Sequence, residues 1–182
     1  VAEKEEKYWL ERLKEGDEAA LKKIFDAYYP DLVARIFRII PDPDACQDIA
    51  QDVIVELWNR RDSLEIHSSL GGYLNKAAVN RALNYIKSRN RSVIDASAEL
   101  PDSADVSDIN MVSTEHNEEL ESRLHDAIGK LPERCRAVFA LSRFEDLSHK
   151  EIAERLGISV KTIENQITKA MKLLRESLRD TT

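Results

Sequence analysis

Glycine and proline are scarce in this chain of 182 residues, 5 of each, together under half of the usual share of about 12%. A many-stranded barrel or sandwich needs turn-formers at short intervals, so the shortage excludes that class and favours helices. Long apolar runs are missing too. Although 42% of the residues are hydrophobic, no uninterrupted stretch approaches the roughly 20 residues of a bilayer span, which predicts no membrane insertion. The charged start, residues 1–12, has neither the apolar core and small-residue cleavage site of a secretory signal nor a lipidation motif. The two cysteines, Cys46 and Cys135, form no metal-binding or redox pair by spacing, which predicts inert thiols in a reduced cytoplasm. His67, His116, His125 and His149 are scattered, and neither a phosphate-cradling glycine loop nor a nucleophile motif is present. The expectation is a non-enzyme without catalytic residues, cofactor or metal.

What is present is charge, unevenly distributed. The net charge of −7 taken as one number argues against a nucleic-acid binder, because phosphate contacts need clustered Lys and Arg. Residues 1–70 carry 10 basic and 16 acidic side chains, but residues 71–94 carry 5 basic and no acidic ones. Residues 95–121 then carry 9 acidic and no Lys or Arg, and residues 148–175 return to a net +3. Two basic segments flanking an acidic one mark nucleic-acid contact at two places, although a solvated helix face fits either segment alone.

Residues 92–113 are rich in Ser, Asp, Ala and Val without sustained helical periodicity, and read as a linker. The chain divides accordingly into a helical block at 1–92, a flexible acidic linker at 93–114 and a second helical block at 115–182. The expected fold class is all-α: two small helical domains, the C-terminal one containing a helix-turn-helix. In the first block helices are expected at 3–14, at 18–29 ending at Pro30, at 31–40, at 45–61 and from 68–72 to about 88. In the second they are expected at 118–129, from Leu131-Pro132 to Phe144, at 148–156 and at 159–178.

The C-terminal pair carries the sharpest signal. Ser148 and Glu151 have capping-box spacing, Gly157 allows a tight turn, and Ser159 is placed to cap the next helix. At 100° per residue Val160, Ile163, Ile167, Ala170 and Leu174 share one face. The other presents Lys161, Asn165, Thr168, Lys169 and Lys172. Such a face suits the major groove, where Asn pairs with adenine and Lys with guanine or phosphate; an ordinary amphipathic helix gives the same stripe.

Two stretches of the first block are also informative. On a helix at 45–61, Ile49, Ala50, Val53, Ile54 and Leu57 form a core stripe, leaving Asp48, Gln51, Asp52, Val55 and Asn59 on the other side. That side is either plain surface or a docking face for a basic partner helix. On the next helix, if it persists as far as residue 91, Lys76, Asn80, Asn84, Lys87 and Arg91 lie within about 80° of one another. A row of Asn and cations without one carboxylate suits a phosphate backbone with amides reaching base edges, whereas solvated helix faces usually interleave both signs.

In these motifs the sequence resembles the bacterial extracytoplasmic-function (ECF) sigma factors, the small two-domain group of the sigma-70 family. Leu13 to Tyr29, with Gly16-Asp17 and Ala19, looks like the opening of their domain two. Asp48-Ile49-Ala50-Gln51-Asp52-Val53 with Leu57-Trp58 is similar to their polymerase-docking helix, and Tyr73-Leu74 followed by Asn80 to their minus-ten reader. Leu131-Pro132 with Arg134, Phe144-Glu145 and the stretch from Lys150 to Leu174 resemble domain four, which reads the minus-thirty-five element. Ile54 and Leu21 stand where aromatics are common, and Glu164 and Gln166 where basic residues are frequent.

The resemblance implies a protein that binds core RNA polymerase, through its beta-prime clamp helices and beta flap, and promoter DNA, and that an anti-sigma factor holds in check. It implies that Asp48, Gln51, Asp52, Val55 and Asn59 meet polymerase, and that Lys76, Asn80, Asn84, Lys87 and Arg91 hold the minus-ten strand. The loop at 61–69 would capture an extruded base. Asn165, Thr168 and Lys169 would face minus-thirty-five bases, with Lys150, Lys161, Thr162 and Lys172 on phosphates. The linker would thread polymerase channels, where Asp102, Asp105 and Asp108 either imitate a phosphate backbone or serve as a solvated spacer. A helix-turn-helix regulator of the response-regulator or quorum-sensing class shares the C-terminal pattern, but it would need a receiver or ligand-binding domain with βα alternation.

Overall fold

The computed structural model describes residues 3–66, 69–91 and 118–179. The expected linker at 93–114, with Asp102, Asp105 and Asp108, lies outside the described residues, as do His67, His116 and the side chain of Arg91. The described residues form helices α1 (Glu3–Lys14), α2 (Glu18–Ile39), α3 (Pro43–Asn59), α4 (Leu70–Arg91), α5 (Glu118–Gly129), α6 (Glu133–Arg143), α7 (His149–Leu156) and α8 (Val160–Arg179), with a single 3-10 turn at Arg61–Ser63. No strand occurs among them. The chain separates into two compact units, Val1–Ile86 and Lys87–Thr182.

In the first unit α2 packs against α1 and α3. The turn between α1 and α2 is made by Gly16, at φ +81°, and Asp17, whose carboxylate accepts from the Ala19 amide at 2.9 Å. The expected break at Pro30 does not occur: residues 18–29 and 31–40 join in one helix with Pro30 inside it. A proline within a helix costs about 3 kcal/mol through a missing hydrogen bond and a clash. Yet Ala20, Ile24, Leu32, Ile36 and Ile39 form one buried stripe running past it. Each large member contributes roughly 1.5–3 kcal/mol by burial, so the stripe outweighs the break, and Pro30 itself is exposed.

Helix α3 buries Ala45, Cys46, Ile49, Ala50, Val53, Ile54 and Leu57, the expected stripe extended by one turn. Helix α4 starts where Ser69 Oγ accepts from the Gly72 amide at 3.1 Å. The Glu6 carboxylate of α1 accepts from the Leu70 amide at 3.2 Å and from the Tyr28 hydroxyl of α2. One carboxylate thus ties three helices together. Burial, and next the bond to Glu6, push the Tyr28 hydroxyl pKa well up. Leu70, Leu74, Ala78, Val79, Ala82 and Leu83 are buried, so α4 keeps its apolar side inward.

In the second unit α5, α6 and α7 all pack on α8. Every residue of α6 from Cys135 to Leu141 is buried, the charged Arg136 among them, so this helix is covered on most sides. Arg123 of α5 donates to the Leu178 carbonyl at 3.1 Å, placing a cation at the carbonyl end of α8 where the helix dipole favours it. Pro132, expected at the helix start, is the cap of α6, at φ −53° and ψ 141°.

The capping box at the start of α7 forms in full. The Ser148 hydroxyl and amide donate to Glu151 Oε2 at 2.6 and 2.9 Å, and these bonds hold the Glu151 carboxyl below its ordinary value of 4.5. A carboxyl with a lower pKa folded than unfolded stabilises the fold while ionised, and that contribution fades as pH falls through and below its ordinary value. Acid titration of helicity should therefore show part of the loss below pH 4.5 removed in Glu151→Gln, which has lower stability at neutral pH but no proton to take up there.

Candidate nucleic-acid and partner interfaces

The turn between α7 and α8 has the geometry the sequence predicts. Gly157 caps α7 in the left-handed region at φ 71° and its amide donates to the Ala153 carbonyl, while Ser159 Oγ accepts from the Thr162 amide at 3.0 Å. Ile152, Ala153 and Leu156 of α7 and Ile163, Ile167, Ala170, Met171 and Leu174 of α8 are buried. Lys150, Lys161, Asn165, Lys169 and Lys172 are exposed, and Thr162 and Thr168 are half-buried.

One detail differs from the sequence expectation, and two add to it. Val160, assigned to the inward stripe, is 39% exposed, because side chains of a helix lean toward its N-terminus and the first residue leans beyond the packed turns. Thr168 Oγ1 already donates to the Glu164 carbonyl at 2.9 Å, so toward a base it is an acceptor or a methyl contact. Gln166 turns inward and its Oε1 accepts from the Cys135 thiol at 2.9 Å. Burial is the main cause that pushes this thiol pKa up, with Lys169 opposing it. Gln166 therefore stays off the outward stripe, and of the two departures on this helix only Glu164 lies exposed.

Along α4, Lys76, Asn80 and Asn84 of the first unit are exposed, and Lys87, where the second unit begins, is half-buried. On α3, Asp48, Gln51, Asp52, Val55 and Asn59 are all exposed, Val55 by 55%, a large value for an apolar side chain. Beside them Arg61 of the 3-10 turn lies over the Trp58 ring, 4.4 Å from its centroid, and donates to the Trp58 carbonyl at 2.9 Å. Trp58, Ile54, Leu21 and Phe25 line a groove of about 530 Å³ between α2 and α3.

One site residue has a partner that the helical-wheel reading missed. Arg81 of α4 donates to Asp52 Oδ2 at 3.0 Å and to Glu56 Oε2 at 2.9 Å. Arg60 also reaches Glu56, at 3.2 Å. Periodicity places Arg81 off the Asn and Lys stripe and says nothing of what lies across from it.

Residues 24–92 match the model of sigma-70 region 2, and residues 121–174 that of sigma-70 region 4. The RNA polymerase sigma-E factor of Streptomyces avermitilis is 30% identical over 141 residues, 78% of this chain and 75% of the relative. The ECF RNA polymerase sigma factor SigW of Bacillus subtilis is 27% identical across 94% of this chain and 95% of its own. The chain belongs to the ECF sigma factors of the sigma-70 family. Among solved structures, the sigma factor RpoE from Bartonella quintana, seen with the anti-sigma factor NepR, aligns over 87% of this chain and 96% of its own at 22% identity and a TM-score of 0.45. The region 2 match gives the first block of this sigma factor an identity that a receiver or ligand-binding domain lacks, which sets aside the reading as a self-sufficient helix-turn-helix regulator. Its α3 and α4 fall within region 2, and α6 to the greater part of α8 within region 4.

Proposed function

We propose that this sigma factor joins core RNA polymerase and directs it to promoters through three surfaces. Asp48, Gln51, Asp52, Val55 and Asn59 dock on the beta-prime clamp helices. Lys76, Asn80, Asn84, Lys87 and Arg91 hold the minus-ten strand. Lys150, Lys161, Thr162, Asn165, Thr168, Lys169 and Lys172 meet the minus-thirty-five element, in a unit that also faces the beta flap. In this reading the modules are residues 1–92 and 115–182, with 93–114 as linker. The protein acts in the cytoplasm, catalyses nothing itself, and is held in check by an anti-sigma factor covering the same surfaces.

The observation that carries the reading is the pair of matches to regions 2 and 4 in that order, one containing the acid-free α4 and the other the helix-turn-helix. Two weak DNA contacts become one strong contact when their spacing is fixed, because the second binding is then intramolecular. In vitro transcription with core polymerase over a promoter library tests this. Initiation is expected at a restricted promoter set and only with both components present. A chain without affinity for core polymerase, or one that selects the same sites unaided, would overturn it.

A further inference from the structure

We propose that Arg81 is the positioning residue of the docking face: reaching across from α4, its guanidinium fixes the orientation in which Asp52 is offered to polymerase. The inference deepens the reading of α3 as the docking helix and rests on it. Asp52 and Glu56 are one turn apart on α3, where like charges repel, and the two outer nitrogens of Arg81 divide them at 3.0 and 2.9 Å. A planar fork offers each carboxylate its own nitrogen in a fixed geometry, whereas lysine has to share one rotating ammonium between them. The Arg81 side chain is 34% exposed and that of Asp52 64%. An ion pair this open adds little to stability. Its effect is to hold Asp52 in one arrangement, with Oδ2 engaged.

Two opposite consequences for a cationic partner follow. The fork lowers the ordering cost of meeting Asp52, and its positive charge weakens the attraction. Salt screens the second effect, which acts over a longer distance, more strongly than the hydrogen-bonded contact that supplies the first, so positioning prevails at physiological ionic strength and grows in relative weight as salt rises. Arg81 is also the neighbour of Asn80 and stands three residues before Asn84. The same fork therefore joins the docking helix to the helix bearing the minus-ten stripe.

The test is the affinity of the full chain for core polymerase, measured at two salt concentrations for the parent, Asp52→Asn, Arg81→Gln, Arg81→Lys and the Asp52→Asn/Arg81→Gln pair. Arg81→Gln should bind about fivefold more weakly at an unchanged thermal midpoint, the size expected of a coupled contact, and the loss should persist at high salt. The pair should be no weaker than Asp52→Asn alone, and Arg81→Lys should recover part of the loss. Parental or tighter binding by Arg81→Gln beside a weakened Asp52→Asn overturns the proposal and leaves the docking reading standing, as do losses that multiply in the pair. An Asp52→Asn chain that binds like the parent overturns both. Should Arg81→Gln fail to fold, Glu56→Gln reads the same link from α3: weaker binding at an unchanged midpoint supports it, and parental binding overturns it.

Discussion

Ile163→Ala should lower the stability of the second unit by about 2–4 kcal/mol, the range for truncating a fully buried aliphatic side chain. Ile163 has no exposed surface and sits in the first turns of α8, the helix on which α5, α6 and α7 all pack. A cavity there weakens contacts that no other helix of the unit replaces. For so small a unit the loss corresponds to a fall of roughly 10–20 °C in its unfolding temperature. The two units need not unfold together, so the measurement is hydrogen exchange of α8 amides beside those of α2 with rising temperature. Protection should collapse early in α8 and persist in α2. Val160→Ala, three residues earlier on an exposed side chain, should change the unfolding temperature little; equal effects from the two substitutions would contradict the packing described.

Asn165→Ala should cost about 1–3 kcal/mol of discrimination at one base pair of the minus-thirty-five element, the worth of a paired hydrogen bond to a base edge. Lys161→Ala should instead weaken all promoters alike and reduce the salt dependence of holoenzyme binding by about one counterion. The contrast follows from position. Asn165 is exposed near the middle of the outward stripe, whereas Lys161 is in the first turn of α8, where the amino end of a helix meets phosphates. Initiation rates over a library randomised at the minus-thirty-five element separate the two. If Asn165→Ala scaled every promoter equally, Asn165 would be a backbone contact and the assignment of base reading to it would fall.

Much of this site was legible in the sequence because local rules fixed it. The capping box, the left-handed Gly157 and the cap at Ser159 follow from short-range stereochemistry, and all three form. The stripes on α3 and α4 follow from helical period, and the residues assigned to the outer side of α3 are exposed. Where the fold goes beyond local pattern, a neighbour distant in the chain is the cause. Pro30 marks a helix end by every local rule, yet the stripe from Ala20 to Ile39 is buried as one surface. Gln166 falls off the outward stripe by its spacing, but its partner, the Cys135 thiol on α6, is shown only by the fold.

The amino-acid order alone determined that the chain is helical, that its charge is segregated, and which faces of α4 and α8 are cationic, because those properties depend on residue types within one or two turns. The folded structure alone decided that α2 continues through its proline, that Glu6 ties α1 to α2 and α4, and that Arg81 divides Asp52 from Glu56. Those contacts join residues distant in the chain. Their energies come from burial and from charges brought within hydrogen-bond reach, which no local pattern encodes.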